Sequence, residues 1–197
     1  MKTYYTLIQK ITSWKTFLLL LLLFFLFMFV LFPMATKETR KGKITEANRM
    51  LDTRFSYTTQ TVKTYLSSLS EREREQEAVI HFTLDLAYPI IYLLLLSVIT
   101  LKLLSLLINL GTRIKLKIQI WIVSFPLLIV TMDYLENTII TILLLEYPAF
   151  SIILARICST VTTVKWLLVV LNAAIIILLG TLYLARLALE INKNQSS

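Results

Sequence analysis

Carboxylates, phenols and an amine occur inside otherwise apolar stretches of this chain, where they could bind a ligand or hold a proton. In the second apolar stretch, His81, Asp85, Tyr88 and Tyr92 are spaced 4, 3 and 4 residues apart. This spacing places their side chains along one face of an α-helix. Ionisable groups inside a bilayer cost about 2.5–3.5 kcal/mol each on insertion scales and usually face the interior of a helical bundle.

The third and fourth apolar stretches also contain polar and ionisable residues. Asp133, Glu136 and Asn137 share one helical face in the third stretch, and Lys165 opens the fourth. With a rise of about 1.5 Å per residue, these side chains and Asp85 reach a similar depth. We therefore predict a ligand-binding pocket formed by seven residues: Asp85, Tyr88, Tyr92, Asp133, Glu136, Asn137 and Lys165.

The expected chemistry is recognition rather than catalysis, and no residue is assigned a catalytic role. Asp85, Asp133 and Glu136 are expected to act as acceptors, and Lys165 as the partner of an anionic group. The chain has one cysteine and one histidine, which argues against a Cys/His metal site, and we expect no cofactor. His81 is predicted to be an interfacial side chain rather than a base.

The elements that must position these residues are membrane-spanning helices. The chain is 57% hydrophobic and 16% charged, and residues 16–36 and 166–185 contain no charged side chain. A bilayer-spanning helix needs roughly 20 such residues. We predict an all-α polytopic membrane protein, with four transmembrane helices in a bundle and an extracytoplasmic helical segment between helices 1 and 2.

The predicted spans are 17–35, 78–107, 118–145 and 164–187. The first is interpreted as an uncleaved signal anchor, because its apolar run exceeds that of a usual signal peptide. Residues 146–163 form either an interfacial helix or an extension of the last span. The remaining segments are an N-terminus (1–16), an extracytoplasmic segment (36–77), a cytoplasmic loop (108–117) and a tail (188–197).

Charge predicts the orientation of the bundle. With four spans, the two termini and the short loop lie on the same side of the membrane. This side carries one acidic residue, Glu190, and nine basic residues: Lys2, Lys10, Lys15, Lys102, Arg113, Lys115, Lys117, Arg186 and Lys193. Cytoplasmic loops are enriched in Lys and Arg, so both termini are expected to be cytoplasmic, in a bacterial inner membrane. Because these cations are juxtamembrane anchors without interleaved aromatic residues, we expect no nucleic-acid partner.

The predicted extracytoplasmic segment shows helical patterning. Apolar residues recur with helical spacing over Asp52–Leu69, and Ser70 with Glu73 has the spacing of a capping box at the start of the next helix. This pattern is typical of an amphipathic helix. One hypothesis is that this helix lies across the mouth of the bundle as a lid.

At these residues the sequence resembles a group of uncharacterised bacterial four-helix membrane proteins. The resemblance covers about residues 55–187 and includes these motifs: Asp85-Leu-Ala-Tyr-Pro89 with Tyr92, Asp133-Tyr-Leu-Glu-Asn137, Tyr147-Pro148 and Thr163-Val-Lys165-Trp166. It implies four spans and the same polar residues, without an activity. A looser similarity to four-helix proteins of the sterol-isomerase class serves as an analogy for a lipid-like ligand.

The expected function is that of a membrane-embedded binding or accessory protein, with an outward-facing polar pocket for a lipid-like or amphiphilic ligand. One alternative is a component of ion- or proton-coupled transport. Another is an intramembrane enzyme that uses an acid pair. The same polar network could also serve only to hold the helices together. The expected partners are membrane lipids, a lipid-like small molecule and further copies of the chain in a homo-oligomer.

Overall fold

The computed structural model describes residues 1–39 and 49–195, which form α-helices and connecting turns without a β-strand. Residues 40–48, in the predicted extracytoplasmic segment, and 196–197 of the predicted tail lie outside the described residues. The helices are α1 (Lys2–Ile11), α2 (Trp14–Leu26), α3 (Phe32–Thr39), α4 (Thr59–Ser67), α5 (Glu71–Asn109), α6 (Leu116–Ser124), α7 (Pro126–Glu146) and α8 (Ile152–Gln195).

Four helical segments in the described part of the chain are long and apolar enough to cross a membrane. They are Trp14–Thr36, Glu71–Asn109, Leu116–Glu146 and Ile152–Asn192. The predicted fold class, an all-α polytopic membrane protein built on four spanning helices, is therefore confirmed.

The first spanning segment is one continuous helix with a π-helical turn. α2 passes directly into this turn at Phe27–Leu31, and α3 follows without a break. Leu20 is the only buried residue of α2, so the helix presents most of its surface outward. A π turn inserts one extra residue into the helix and often occurs at functional sites.

Local sequence signals define the ends of α5. The predicted capping box is confirmed, because the Ser70 hydroxyl oxygen accepts a hydrogen bond from the Glu73 amide and the Glu73 carboxylate accepts one from the Ser70 amide. At the other end, Gly111 adopts a φ of +79°. The amide of Thr112 then reaches back to the carbonyl of Leu107 at 3.0 Å, which completes a Schellman turn. At about 1.5 Å per residue, the 39 residues of α5 span about 58 Å.

Proline divides the third spanning segment into two helices. Pro126 begins α7 directly after the end of α6, and it lacks the amide hydrogen that a continuous helix would need there. α8, in contrast, is one helix from Ile152 onward. Residues 152–163 thus extend the last span, the second of the two forms expected for this stretch.

The connector, which we define as residues 49–70, differs from its predicted form. Helix occurs only in α4, and residues 49–58 are turns and extended chain. Thr58 explains where the helix begins, since its side chain and that of Thr61 form a reciprocal capping box. The expectation of one amphipathic helix over Asp52–Leu69 is therefore wrong for its first seven residues.

Two apolar clusters stabilise opposite ends of the bundle. At the connector end, Val62, Tyr65 and Leu66 of α4 pack against Leu143 of α7 and Cys158 of α8. Tyr65 also donates a hydrogen bond to the buried carboxylate of Glu77. These contacts place α4 on the C-terminal end of α7 and the N-terminal end of α8.

The opposite, terminal end, where α1 lies and toward which α8 runs, has its own cluster. Val98 and Leu104 of α5 pack there with Val123 of α6 and Leu179 of α8. The N-terminal helix α1 closes this terminal end. Its Ile8 is completely buried in the cluster.

Candidate functional site

A cavity of about 900 Å³ lies between the two apolar clusters. All four spanning segments and the connector contribute to its wall. The polar or charged residues that line it are Thr36, Asp52, Thr53, Asp85, Tyr88, Tyr92, Asp133, Asn137 and Lys165. The apolar and aromatic part of the wall includes Phe24, Met28, Phe32, Leu95, Leu96, Ile129, Trp166 and Val169. A pocket of this size is within the range that holds drug-sized ligands.

An ion-paired cluster forms one side of the cavity. The Lys165 ammonium donates a hydrogen bond to Oδ1 of Asp133 at 3.0 Å and another to Oε2 of Glu136. The Glu136 side chain is completely buried, and those of Lys165 and Asp133 are 9% and 14% exposed. Because one ammonium is shared by two carboxylates, the cluster of three ionisable groups contains one more acid than base.

A chain of hydroxyl groups continues this cluster toward the connector. Thr162 donates a hydrogen bond to Oε1 of Glu136 at 2.5 Å. The Tyr57 hydroxyl lies 3.0 Å from the Thr162 hydroxyl and 3.0 Å from Sγ of Cys158. Burial raises the pKa of Tyr57 well above its ordinary value, so its phenol remains a neutral hydrogen-bond donor.

His81 and Asp85 form a second buried pair. Nδ1 of His81 lies 2.8 Å from Oδ2 of Asp85, one helical turn further along α5. The His81 residue is only 4% exposed. His81 is therefore buried within the protein rather than exposed on its surface. The i, i+4 spacing was the available signal, since such residues are direct neighbours on a helix.

Aromatic rings surround the middle of the cavity. The ring centroid of Tyr88 lies 5.2 Å from that of Phe32, 5.6 Å from that of Phe24 and 5.4 Å from that of Tyr92. The Tyr92 hydroxyl also donates a hydrogen bond to Oδ2 of Asp133 at 3.1 Å. These contacts connect the first apolar helix to the polar wall through aromatic packing.

The connector supplies a cavity residue that periodicity does not identify. Asp52 lines the cavity, and its buried Oδ1 has no hydrogen-bond partner among the described residues. The indole of Trp166 donates a hydrogen bond to the Asp52 backbone carbonyl at 3.3 Å. Residues 50, 52 and 53 of the connector therefore border the cavity, whereas α4 does not.

Ser159 ties the connector to α8. Its hydroxyl donates a hydrogen bond to the Tyr57 carbonyl at 2.7 Å and accepts one from the Tyr57 amide at 3.1 Å. The Thr163 hydroxyl lies 3.2 Å from the Phe55 carbonyl. These backbone contacts hold the non-helical part of the connector in place over the cavity.

Six of the seven residues predicted from the sequence line the cavity, and the seventh contacts one of them. Glu136 alone does not line the cavity and instead lies behind Lys165. The other six border the same space: Asp85, Tyr88, Tyr92, Asp133, Asn137 and Lys165. Their geometry provides hydrogen-bond acceptors, aromatic faces and an apolar region in one cavity, which is chemistry suited to binding an amphiphile.

The described residues contain no group of three His, Cys, Asp or Glu side chains arranged to hold a metal ion. Comparison with protein-family models, with curated proteins and with solved structures gives no match. The fold and the cavity together define a multi-pass helical membrane protein with a mostly apolar, partly open cavity that carries several charged side chains.

Proposed function

We propose that this chain is a membrane-embedded binding or accessory protein that takes the polar head of an amphiphile or lipid into its cavity. The observation that carries the proposal is that the cavity wall contains both charged and apolar regions. Asp52, Asp85 and Asp133 supply acceptors on one part of the wall, while Leu95, Leu96 and other apolar side chains form the rest. An amphiphile matches this wall, because it has a polar head and an apolar chain.

The arrangement of the helices supports entry from the bilayer. The first apolar helix packs mainly against α5. Met28 of this helix and Val169 of α8 nevertheless border the same cavity. A ligand could therefore enter sideways between the first apolar helix and α8, and its apolar chain could remain in contact with lipid.

The two sequence-based alternatives make different demands on the structure. Ion- or proton-coupled transport needs a polar path to the terminal end, where Val98, Leu101, Leu104 and other side chains fill the bundle. An acid-pair enzyme needs two carboxylates that reach a substrate, and the aspartates of the cavity wall, Asp52, Asp85 and Asp133, meet that demand without Glu136, which lies behind Lys165. Cavity geometry thus favours binding over transport.

A matched pair of tryptophan variants tests the proposal. Val169→Trp places a large ring in the cavity, whereas Val170→Trp places it at the adjacent position, where valine is 61% exposed on the outer surface. Lipids that co-purify with the protein in detergent would be quantified by mass spectrometry. We expect Val169→Trp to lose a specific lipid-like species that both the wild type and Val170→Trp retain. Equal retention by both variants would contradict the proposal.

The proposed orientation places both termini in the cytoplasm of a bacterial cell and the connector outside. Ser68 in the connector and Arg113 in the α5–α6 turn are both exposed. Single cysteines at these positions, in a Cys158→Ser background, would be treated in whole cells with a membrane-impermeant maleimide. We expect labelling at position 68 but not at 113, and the reverse pattern would show the opposite orientation.

A further inference from the structure

The cavity wall contains more carboxylate than ammonium. Among the described residues that line it, Asp52, Asp85 and Asp133 are acids and Lys165 is the only amine. Lys165 is the expected partner of an anionic group, but its ammonium already contacts Asp133 and Glu136. An anionic head would therefore meet unfavourable charge in this cavity, whereas a cationic head would relieve it.

Several acceptors in the wall lack a partner or have one oxygen free. The buried Oδ1 of Asp52 is unpaired among the described residues, and Asp85 uses Oδ2 to contact His81. Asn137, which is only 6% exposed, also lines the cavity and adds a side-chain amide to the polar wall. The wall therefore retains hydrogen-bond acceptor capacity that a polar head can use.

The aromatic side chains suit a cationic head as well. Tyr88, Tyr92 and Trp166 line the same cavity as the carboxylates. Ring faces attract alkylammonium groups, and groups of aromatic residues are a known way of recognising quaternary ammonium ligands. Trp166 already has one ammonium nearby, because Nζ of Lys165 lies 5.7 Å from the centre of its ring.

We infer that the ligand's head is an alkylammonium cation held between the carboxylates of Asp52 and Asp85 and the rings of Tyr88, Tyr92 and Trp166. This inference rests on the proposed function, since it assigns a chemical class to the ligand of the same cavity. The source of the cation is either a free amphiphilic amine or the head of a zwitterionic lipid. Both carry the ammonium on an apolar chain.

Four probes with a shared dodecyl chain separate the head-group classes. They are dodecyltrimethylammonium, dodecylphosphocholine, tetraethylene glycol dodecyl ether and dodecyl sulfate. Each would be added at micromolar concentration to the full-length protein in maltoside micelles, and its dissociation constant determined from the shift in thermal unfolding. The shift measured for Val169→Trp would be subtracted as binding outside the cavity.

We expect dodecyltrimethylammonium to bind the wild type at least about tenfold more tightly than the glycol ether or the sulfate. Equal or tighter binding of either of those two would overturn the inference while leaving the proposed function intact. If none of the probes bound the wild type more tightly than Val169→Trp, both the inference and the proposed function would fail. Tight binding of dodecylphosphocholine would show that the cation belongs to a zwitterionic lipid head. If dodecyltrimethylammonium bound and dodecylphosphocholine did not, the cation would belong to a free amphiphilic amine.

Isosteric variants then test the carboxylates. We expect Asp52→Asn and Asp85→Asn each to weaken dodecyltrimethylammonium binding about tenfold without weakening binding of the neutral glycol ether. Glu75→Gln is the matched control, because Glu75 is exposed on α5 outside the cavity. Unchanged discrimination between the cationic and neutral probes in both aspartate variants would overturn the inference. Two independent positions keep the test decisive if one variant does not fold.

Discussion

Lys165 on α8 reaches across to α7, where its ammonium lies 3.0 Å from Oδ1 of Asp133 and also contacts Glu136. The two acids are three residues apart on α7, so one side chain of α8 meets both of them. This relationship joins two spanning helices at the level of the cavity. It also means that a substitution at Lys165 changes the surroundings of both carboxylates at once.

Loss of the amine should destabilise the bundle strongly. Lys165→Met leaves Asp133 and Glu136 without their shared cation, and breaking a buried ion pair typically costs about 3–5 kcal/mol. The thermal unfolding of the purified protein in detergent measures this loss. Lys63→Met, at an exposed position of α4, is the control and should be nearly neutral.

The double variant Lys165→Met/Glu136→Gln distinguishes ion pairing from simple packing. It should recover part of the lost stability, because one unpaired buried charge is then removed. If the single and double variants unfolded at the same temperature, the carboxylate of Glu136 would not depend on Lys165.

The His81–Asp85 pair predicts a difference between two substitutions. His81→Leu removes the partner of a buried carboxylate oxygen and should cost about 1–3 kcal/mol of unfolding free energy. Asp85→Asn keeps an oxygen near the His81 ring and should cost less. Thermal unfolding of both variants under identical conditions tests the order. A greater loss in Asp85→Asn would show that the negative charge, rather than the hydrogen bond, dominates.

The connector should loosen when its attachment to α8 is removed. Ser159→Ala deletes both hydrogen bonds to the Tyr57 backbone, and two such bonds contribute about 1–3 kcal/mol. Hydrogen exchange of residues 49–58 should increase in this variant. Thr160→Ala is a suitable control, because the Thr160 hydroxyl donates only to the carbonyl of Arg156 in its own helix. Similar exchange in the two variants would argue against Ser159 as the attachment.

Packing of α1 against the terminal end should contribute to stability. Ile8 is completely buried, whereas its neighbour Leu7 is 50% exposed. Ile8→Ala should cost about 2–5 kcal/mol through lost packing and the resulting cavity. Leu7→Ala should have little effect on the same thermal unfolding measurement. Equal losses would mean that α1 is not packed in this way.

The local features of the fold could be read from the sequence because they depend on neighbouring residues. Four apolar stretches predict four spanning helices, and the Ser70–Glu73 spacing predicts the start of α5. The shared faces of Asp85 with Tyr92, and of Asp133 with Glu136, follow from helical geometry alone. None of these predictions requires knowledge of how the helices pack.

Other features depend on segments that are distant along the chain. Asp52 is held at the cavity by long-range contacts of the connector with α8, among them the hydrogen bond to its backbone carbonyl from Trp166, which lies 114 residues further along the sequence. The burial of His81 likewise depends on what packs over the N-terminal part of α5, so its one-sided spacing could not distinguish an interfacial position from an interior one. No periodic pattern in residues 49–58 encodes these contacts.

The amino-acid sequence by itself determined the number of spanning helices and the face of each helix that carries the polar groups, because hydrophobic length and helical periodicity are local properties. Tertiary structure decided which groups are paired. It gave Lys165 two carboxylates, gave His81 a buried position and placed Asp52 over the cavity. The physical reason is that pairing and burial depend on the packing of helices and connector, which no single segment specifies.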